Sequence, residues 1–549
     1  MQRLRVAILW HFHQPDYRQG AQAILPWVRL HATKDYAELP TIHREYPSLR
    51  ITYNISPILI EQLEDYTSGR LRDEHLDVAT VAIRDTFARA DQAIRWGFIG
   101  HAPRLIEPFS RYRSLWNDAR FNQWSRWSEQ EWRDLQVWMR LAWFGQTTRE
   151  QRSVARLITR GGNYTPDDRA VVDIIESELL ASVIMRLRGL ARAGLAEISC
   201  SPYYHPILPL LCDSDVVEES DPDLERIDPP YAWQEDAIEQ LQRARSYIKH
   251  RLDILPQGIW PSEGSISDAA LATICSTGVL WTASDRVLLE RSGVCTSQST
   301  CYQPFVWESR RGERLVVFFR DHTLSDAIGF VYSSWDAQAA ARDFLDRLGT
   351  IYTQILHEEG PAFLERAVVT VILDGENCWE YYDNNGALFL RALYEALTTD
   401  ERFETVLLST CAERALSHPD TPIVKHIRAG SWINGSFRIW IGDDEDRTAW
   451  RLLRRTRAAF EQLQSTLSDA QREEAYRHIL VAQGSDWFWW YGPEHRASFR
   501  SVFDELFRSH LRAAWAAMGV EAPGELTQSI MHGDNTGQYS AMHPATAPT

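Results

Sequence analysis

A barrel of parallel βα units, an α/β fold, is what this sequence predicts. Two observations carry the prediction: short apolar runs of strand type alternate with helical stretches, and most of those runs end in polar or ionisable residues. A strand that leaves a packed interior and ends in a carboxylate or imidazole delivers that group to a rim, where it is partly dehydrated without being buried alone.

The runs, in order, are Val6 to Trp10, Ile51 to Ile55, Ala196 to Cys200, Gln257 to Trp260, Val279 to Thr282, Leu315 to Phe319 and Val368 to Leu373, with a weaker eighth at Thr405 to Leu408. Periodicity leaves open whether seven or eight strands close the ring. Between the second and third runs the pattern is helical, over Glu74 to Trp96, the Trp-rich Glu129 to Phe144 and Asp167 to Ala193. Thr165-Pro166-Asp167-Asp168 is a helix start, with a hydroxyl cap, proline at the first position and acids on the positive end of the dipole. Past residue 420, Gly430-Ser431-Trp432-Ile433-Asn434 leads into helices over Asp444 to Leu467, Asp469 to Val481 and Pro493 to Ala517. The expected organisation is a barrel over 1–420 with a helical insertion over about 62–190, a C-terminal helical domain over 421–522, and a disordered tail over 523–549, where large apolar residues become few.

The 549 residues carry 58 basic and 75 acidic side chains, a formal charge of -17. That excess argues against nucleic acid and against an anionic membrane surface as partners. No run approaches the roughly 20 apolar residues that span a bilayer. Twenty-two tryptophans suggest a carbohydrate cleft, although tryptophan also fills large cores. The seven cysteines are odd in number, spread out and never spaced Cys-x-x-Cys, which resembles neither a disulfide framework nor a thiolate zinc site. With no small-residue cleavage site behind the first apolar run, a cytoplasmic location is expected.

Four rim segments carry the chemistry. Trp10-His11-Phe12-His13-Gln14-Pro15 ends the first strand, and histidines at i and i+2 on an extended chain face one side, where they can bind sugar hydroxyls or one metal. Tyr203-Tyr204-His205-Pro206 follows the third strand, Trp260-Pro261-Ser262-Glu263 the fourth, and Leu373-Asp374-Gly375-Glu376-Asn377-Cys378-Trp379 ends the seventh. Glu263 and Asp374 read as paired carboxylates beside tryptophan faces. Glu376 is either a charge that disfavours ionisation of Asp374 or a structural anchor, and Trp379 can exclude water. Arg320-Asp321-His322 follows the sixth strand, and Trp281 lies near the end of the fifth, where it either stacks on sugar or packs.

In this order the segments resemble the motifs of glycoside hydrolase family 57, the family of α-amylase-like enzymes, 4-α-glucanotransferases, amylopullulanases and glycogen-branching enzymes. A fifth, looser motif is similar to Ser485-Asp486-Trp487. The resemblance implies an incomplete (β/α)7 barrel acting on α-glucans with retention, Glu263 as nucleophile and Asp374 as acid/base. The expected substrate contacts, from the residues and the resemblance together, are His11, His13, His205, Trp260, Trp281, Arg320, Asp321, Trp379, Asp486 and Trp487, with no metal and no cofactor. In a retaining hydrolase one carboxylate attacks the anomeric carbon while the other protonates the leaving oxygen and then deprotonates the acceptor. An α-amylase-like hydrolase is the simplest expectation, with a glucanotransferase or branching enzyme beside it. Two readings of other classes are a metal-dependent polysaccharide deacetylase or zinc α-mannosidase, built on His11, His13, Asp16 and His205, and an inactive glucan-binding protein. The metal-dependent reading leaves Glu263 and Asp374 without a purpose.

Overall fold

The computed structural model describes residues 2–82, 85, 89–493 and 499–532. The seven main apolar runs become parallel strands: β1 (Leu4–Phe12), β2 (Ile51–Ile55), β3 (Ala196–Cys200), β4 (Gly258–Ile259), β5 (Trp281–Asp285), β6 (Arg314–Arg320) and β7 (Val368–Asp374). They pair in chain order, and β7 returns to both β1 and β6, so the ring closes at seven. Closure is uneven. β1 and β7 run together from Arg5 with Val368 to His11 with Asp374, whereas β3 and β4 share only Cys200 with Ile259, and β6 and β7 only Arg320 with Thr370.

Strands buried on both faces read as continuous apolar runs, which is why they stood out in the sequence. Alternate residues divide between two packed regions. Ala7, Leu9, Trp260, Trp281, Ala283, Val316, Phe318 and Ile372 fill the barrel, while Val6, Ile8, Trp10, Val317, Val369 and Val371 pack outward. Trp281, considered for sugar stacking, is fully buried in this interior and lies over Gly258, where a Cβ would stand 1.8 Å from its ring. Its Nε1 donates to Glu197 at 2.8 Å, and Ser409 N donates to the other Glu197 oxygen at 2.9 Å. Trp281 is therefore a core residue at the closed end of the barrel, not a rim residue.

The weak eighth run divides. Phe403–Thr405 is a three-residue strand beside the start of β1, and Leu408 opens a helix, Leu408–Ser417, whose Leu408, Cys411, Ala412 and Ala415 close the barrel interior. β2 pairs with β1 only from Leu9 onward, so the short Phe403–Thr405 strand fills the gap against Leu4–Val6 at the base and does not enter the ring.

The segment between β2 and β3 is largely helical, including Glu129–Leu141 and Pro166–Arg192, the latter started by the reciprocal Thr165 and Asp168 cap. Within the expected Glu74 to Trp96 helix the described residues include the helices Glu74–Thr80 and Ala90–Gly97, separated by an extended Val81; residues 83–84 and 86–88 lie outside the described residues. Trp132, Trp138 and Trp143 are fully buried, so tryptophan here is core material. After the barrel come the helices Asp444–Leu463, Asp469–Ala482 and Arg500–Ala517. They bind the barrel through the helix Gln234–Leu252: Arg457 Nε donates to Asp236 at 2.9 Å, and Gln240 Nε2 to Leu480 O at 2.9 Å.

Two expectations are corrected. The start of the tail is packed: Leu526 is fully buried, its carbonyl accepts from Arg508 and Arg512, and Ile530 N donates to Asp504. The two apolar side chains Leu526 and Ile530, among polar neighbours, are enough to hold residues 524–532 down; residues 533–549 lie outside the described ones. Cys295 and Cys301 form a disulfide. Their six-residue separation closes a single surface loop, a pairing that the absence of a cysteine framework had concealed.

Candidate active site

The strand ends converge on one rim. The last turn of β1 carries His11 and His13 to the same side, with ring centroids 5.9 Å apart, and His205 from the β3 loop enters beside both. His205 holds a positive φ of 58° that turns its ring inward. Its carbonyl accepts from Ser485 N at 2.9 Å, and Pro206 pairs with Gly484, so the C-terminal region is fastened to this point. Asp486 follows, accepting from His13 Nε2 at 3.0 Å. Each ring is oriented through Nδ1: His11 on Asn54 Oδ1 at 2.7 Å, His13 on Ser56 Oγ at 2.8 Å and His205 on Ser485 Oγ at 2.9 Å. His11 Nε2 faces His205 Nε2 at 3.1 Å. Burial, helped by the charge of His13, pushes His11 down to about 3 and holds His205 well below the usual histidine range, so both rings are neutral at pH 7.

Glu263 sits in a tight turn, Ser262–Gly264, directly after β4, with φ 59°, a left-handed conformation uncommon for a side-chain-bearing residue. The strain is held by Trp432, whose backbone N–H donates to Glu263 O at 3.0 Å and whose indole Nε1 donates to Glu263 Oε2 at 2.8 Å. Trp260 packs edge-on to Trp432, and the Arg320 guanidinium lies 5.2 Å over the Trp432 ring. Arg320 is fixed in turn by Asp285 at 2.9 Å, by Asp326 and by Ile372 O at 2.7 Å.

Asp374 ends β7 and accepts from Asn377 Nδ2 at 2.6 Å. Burial lifts its carboxyl to about 6, against the opposing effects of Asn377, Arg320 and His13. Burial lifts Glu263 further, to about 8; the charge of Asp374 adds to this, the Trp432 N–H opposes it, and Asp486 adds again. The charge of Asp374 thus reaches Glu263, and both side chains are partly exposed at the rim. Glu376, behind them, is buried; one oxygen receives His13 N at 3.4 Å, the other meets no donor, and burial with the charge of Asp374 raises the group well above the usual carboxylate range.

The structure thus brings His11, His13, His205, Asp486, Glu263, Asp374 and Arg320 together. It does not expose Trp260, Trp379 or Trp487. Trp379 is buried and donates to Gly375 O at 2.9 Å, locking the loop behind Asp374; Trp487 is buried and donates to Val481 O at 2.7 Å. Asp321 is also buried, capping the helix His322–Asp326 and accepting from Tyr302 Oη at 2.9 Å. Trp379, Trp487 and Asp321 satisfy their polar atoms inside the protein, which leaves them positioning the rim rather than facing a ligand, whereas the Trp260 N–H is buried without a hydrogen-bond partner among the described residues. Trp432 is the residue that strand-end reasoning missed, because it arrives from a loop far along the chain. The only local sign of it was Gly430-Ser431-Trp432, a tryptophan in a turn outside the strand pattern.

No curated protein matches the sequence. Among solved structures, the chain is similar to a branching enzyme from Thermococcus kodakaraensis, with 14% identity over 94% of this chain and 90% of that one and a TM-score of 0.62. It is similar to the α-amylase AmyC from Thermotoga maritima, with 15% identity over 94% and 93% and a TM-score of 0.57. It is also similar to a 4-alpha-glucanotransferase from Thermococcus litoralis, with 14% identity over 94% of this chain and 60% of that one and a TM-score of 0.53. At such identities these likenesses establish the shared fold. The sequence profile of Glycosyl hydrolase family 57 matches residues 7–425, from β1 past the end of the barrel, and the chain belongs to that family.

Proposed function

We propose that this protein is a retaining glycosidase acting on α-1,4-glucans, with Glu263 as nucleophile and Asp374 as acid/base. The observation that carries the proposal is the coupled pair itself: two carboxylates from the ends of β4 and β7, both lifted above their ordinary range, on the rim of a family 57 barrel. Glu263 attacks the anomeric carbon while Asp374 protonates the glycosidic oxygen; Asp374 then takes the proton of the acceptor that breaks the glycosyl-enzyme bond. Near neutral pH the pair holds about one proton. In the empty pocket that proton rests on Glu263, because Asp374 has Asn377, Arg320 and His13 to stabilise its anion. A bound glucan reverses the preference by placing the polarised anomeric centre against Glu263 and the basic glycosidic oxygen against Asp374. Asp486, which stays partly exposed, supplies hydrogen bonds that hold sugar hydroxyls; His11, His13 and His205, whose ring nitrogens are paired inside the protein, stand behind it, and Trp432 supports the nucleophile.

Hydrolysis is the simplest outcome. Transfer to a sugar hydroxyl uses the same residues, and the likeness of this chain to a branching enzyme along most of both lengths favours it as the second reading. Incubation with amylose, maltoheptaose and pullulan distinguishes them. Falling iodine colour with new reducing ends is the expected result; redistributed chain lengths without reducing ends establish transfer, and no change in any glucan rejects the proposal.

Trp432 provides an independent prediction. Trp432→Phe keeps an aromatic ring but removes the N–H donor on Glu263. A hydrogen bond to a charged group is worth about 1.5–3 kcal/mol, so kcat should fall roughly 10- to 100-fold, with the acidic limb of the pH profile moving upward as Glu263 becomes harder to ionise. A variant with wild-type kcat and an unmoved limb would show the bond to be incidental.

A further inference from the structure

We infer that the pocket beside the catalytic pair is also a binding site for a zinc-type divalent cation, held by His13, His205 and Asp486 with His11 at hand, and that such an ion shuts the pocket to sugar. His13, His205 and Asp486 each offer a ligand atom, and these atoms lie within 4.8 Å of one another. Bonds of about 2.0–2.1 Å place tetrahedral ligands about 3.3 Å apart. The His13 Nε2 to Asp486 separations, 3.0 and 3.1 Å, are close to that edge, and His11 Nε2, outside the triad, lies 3.1 Å from His205 Nε2.

The surrounding hydrogen bonds suit a metal better than chance packing does. All three imidazoles are tethered through Nδ1, which leaves Nε2 as the inward atom, the arrangement that outer partners impose on metal-binding histidines. Asn54 Oδ1 also receives Ser201 Oγ at 2.8 Å, so it acts as an acceptor, and His11 Nδ1 must carry the proton with a lone pair on Nε2. His13 currently gives its Nε2 proton to Asp486. The partners of His13 and His205 are serine hydroxyls, which accept as readily as they donate, so each ring can move its proton to Nδ1 and present Nε2 to an ion. Asp486 supplies the anionic ligand.

The proposed reaction requires no metal, so the ion acts as a competitor of the sugar; that part of the inference rests on the proposed function, whereas the binding site itself does not. The test uses the full-length chain stripped with chelator. Titration with Co2+ should give the visible absorption bands of a four-coordinate nitrogen and oxygen site, and calorimetry with Zn2+ should give one equivalent bound. Asp486→Asn and His205→Gln should each weaken Zn2+ binding on the order of 10- to 100-fold or more, and Ser485→Ala about 10-fold, with far-UV circular dichroism confirming that each variant is folded. Maltoheptaose should displace the ion, and Zn2+ should inhibit in a manner that chelator reverses. Absence of the Co2+ bands, or Zn2+ affinity unchanged in folded Asp486→Asn, overturns the site. Intact, substitution-sensitive Zn2+ binding that maltoheptaose cannot displace upholds the metal site and counts against the sugar reading of the pocket.

Discussion

Glu263→Gln is expected to lower turnover by at least about 10^4-fold on every glucan and on activated aryl glycosides alike, because an amide cannot form the glycosyl-enzyme. The amide keeps an oxygen for the Trp432 N–H, so the pocket and its strained turn should survive. Stability should move the other way, and its pH dependence is fixed by the sign of the shift. The folded-state pKa of Glu263 is about 8, above the ordinary glutamate value. The native state therefore binds this proton more tightly than the unfolded chain, so the stability associated with it is complete below about pH 4.5. It declines as pH rises towards 8 and changes no further above that. Glutamine pays none of this. The variant should therefore melt higher than wild type at pH 8 to 9 and alike near pH 4. Equal melting temperatures at both pH values would mean that Glu263 is not a buried, destabilised carboxylate, and residual activity above 1% would remove it from the nucleophile's role.

This opposition explains which parts of the molecule were legible in the sequence. The barrel strands were, because burial on both faces demands uninterrupted apolar runs; even β4, reduced to Gly258–Ile259, kept its signature in the surrounding Gln257 to Trp260. Glu263, Asp374, His11, His13 and His205 were legible because a polar residue at the end of such a run has few purposes. The tryptophans misled, since composition does not record direction. Trp281, Trp379 and Trp487 bury their rings and satisfy their N–H groups on Glu197, Gly375 and Val481. Trp432, the indole that does reach the nucleophile, meets it from 169 residues away in the chain. A contact at that range leaves no local pattern. Nor did the serines behind the histidines, since Ser56 and Ser485 are ordinary residues until the fold sets them against imidazoles.

Asp374→Asn should separate the two chemical steps. An aryl leaving group scarcely needs protonation, so formation of the glycosyl-enzyme from an activated aryl glycoside should remain within about 10-fold of wild type, whereas glucan cleavage should fall by the 10^2- to 10^4-fold typical of a lost general acid. The second step then lacks its base. The glycosyl-enzyme should accumulate, and azide, which attacks without base assistance, should restore turnover and yield a glycosyl azide. The coupling of the pair adds an electrostatic signature. The charge of Asp374 helps to hold Glu263 at about 8, so removing it should move the acidic limb of aryl-glycoside turnover to lower pH. Trapping with an activated fluorosugar and mapping the labelled peptide tests the assignment directly. A label on any residue other than Glu263 removes the nucleophile, first release of the inverted anomer removes retention, and a penalty equal for aryl glycosides and glucans, with no response to azide, would show that Asp374 shapes the pocket rather than moving the proton.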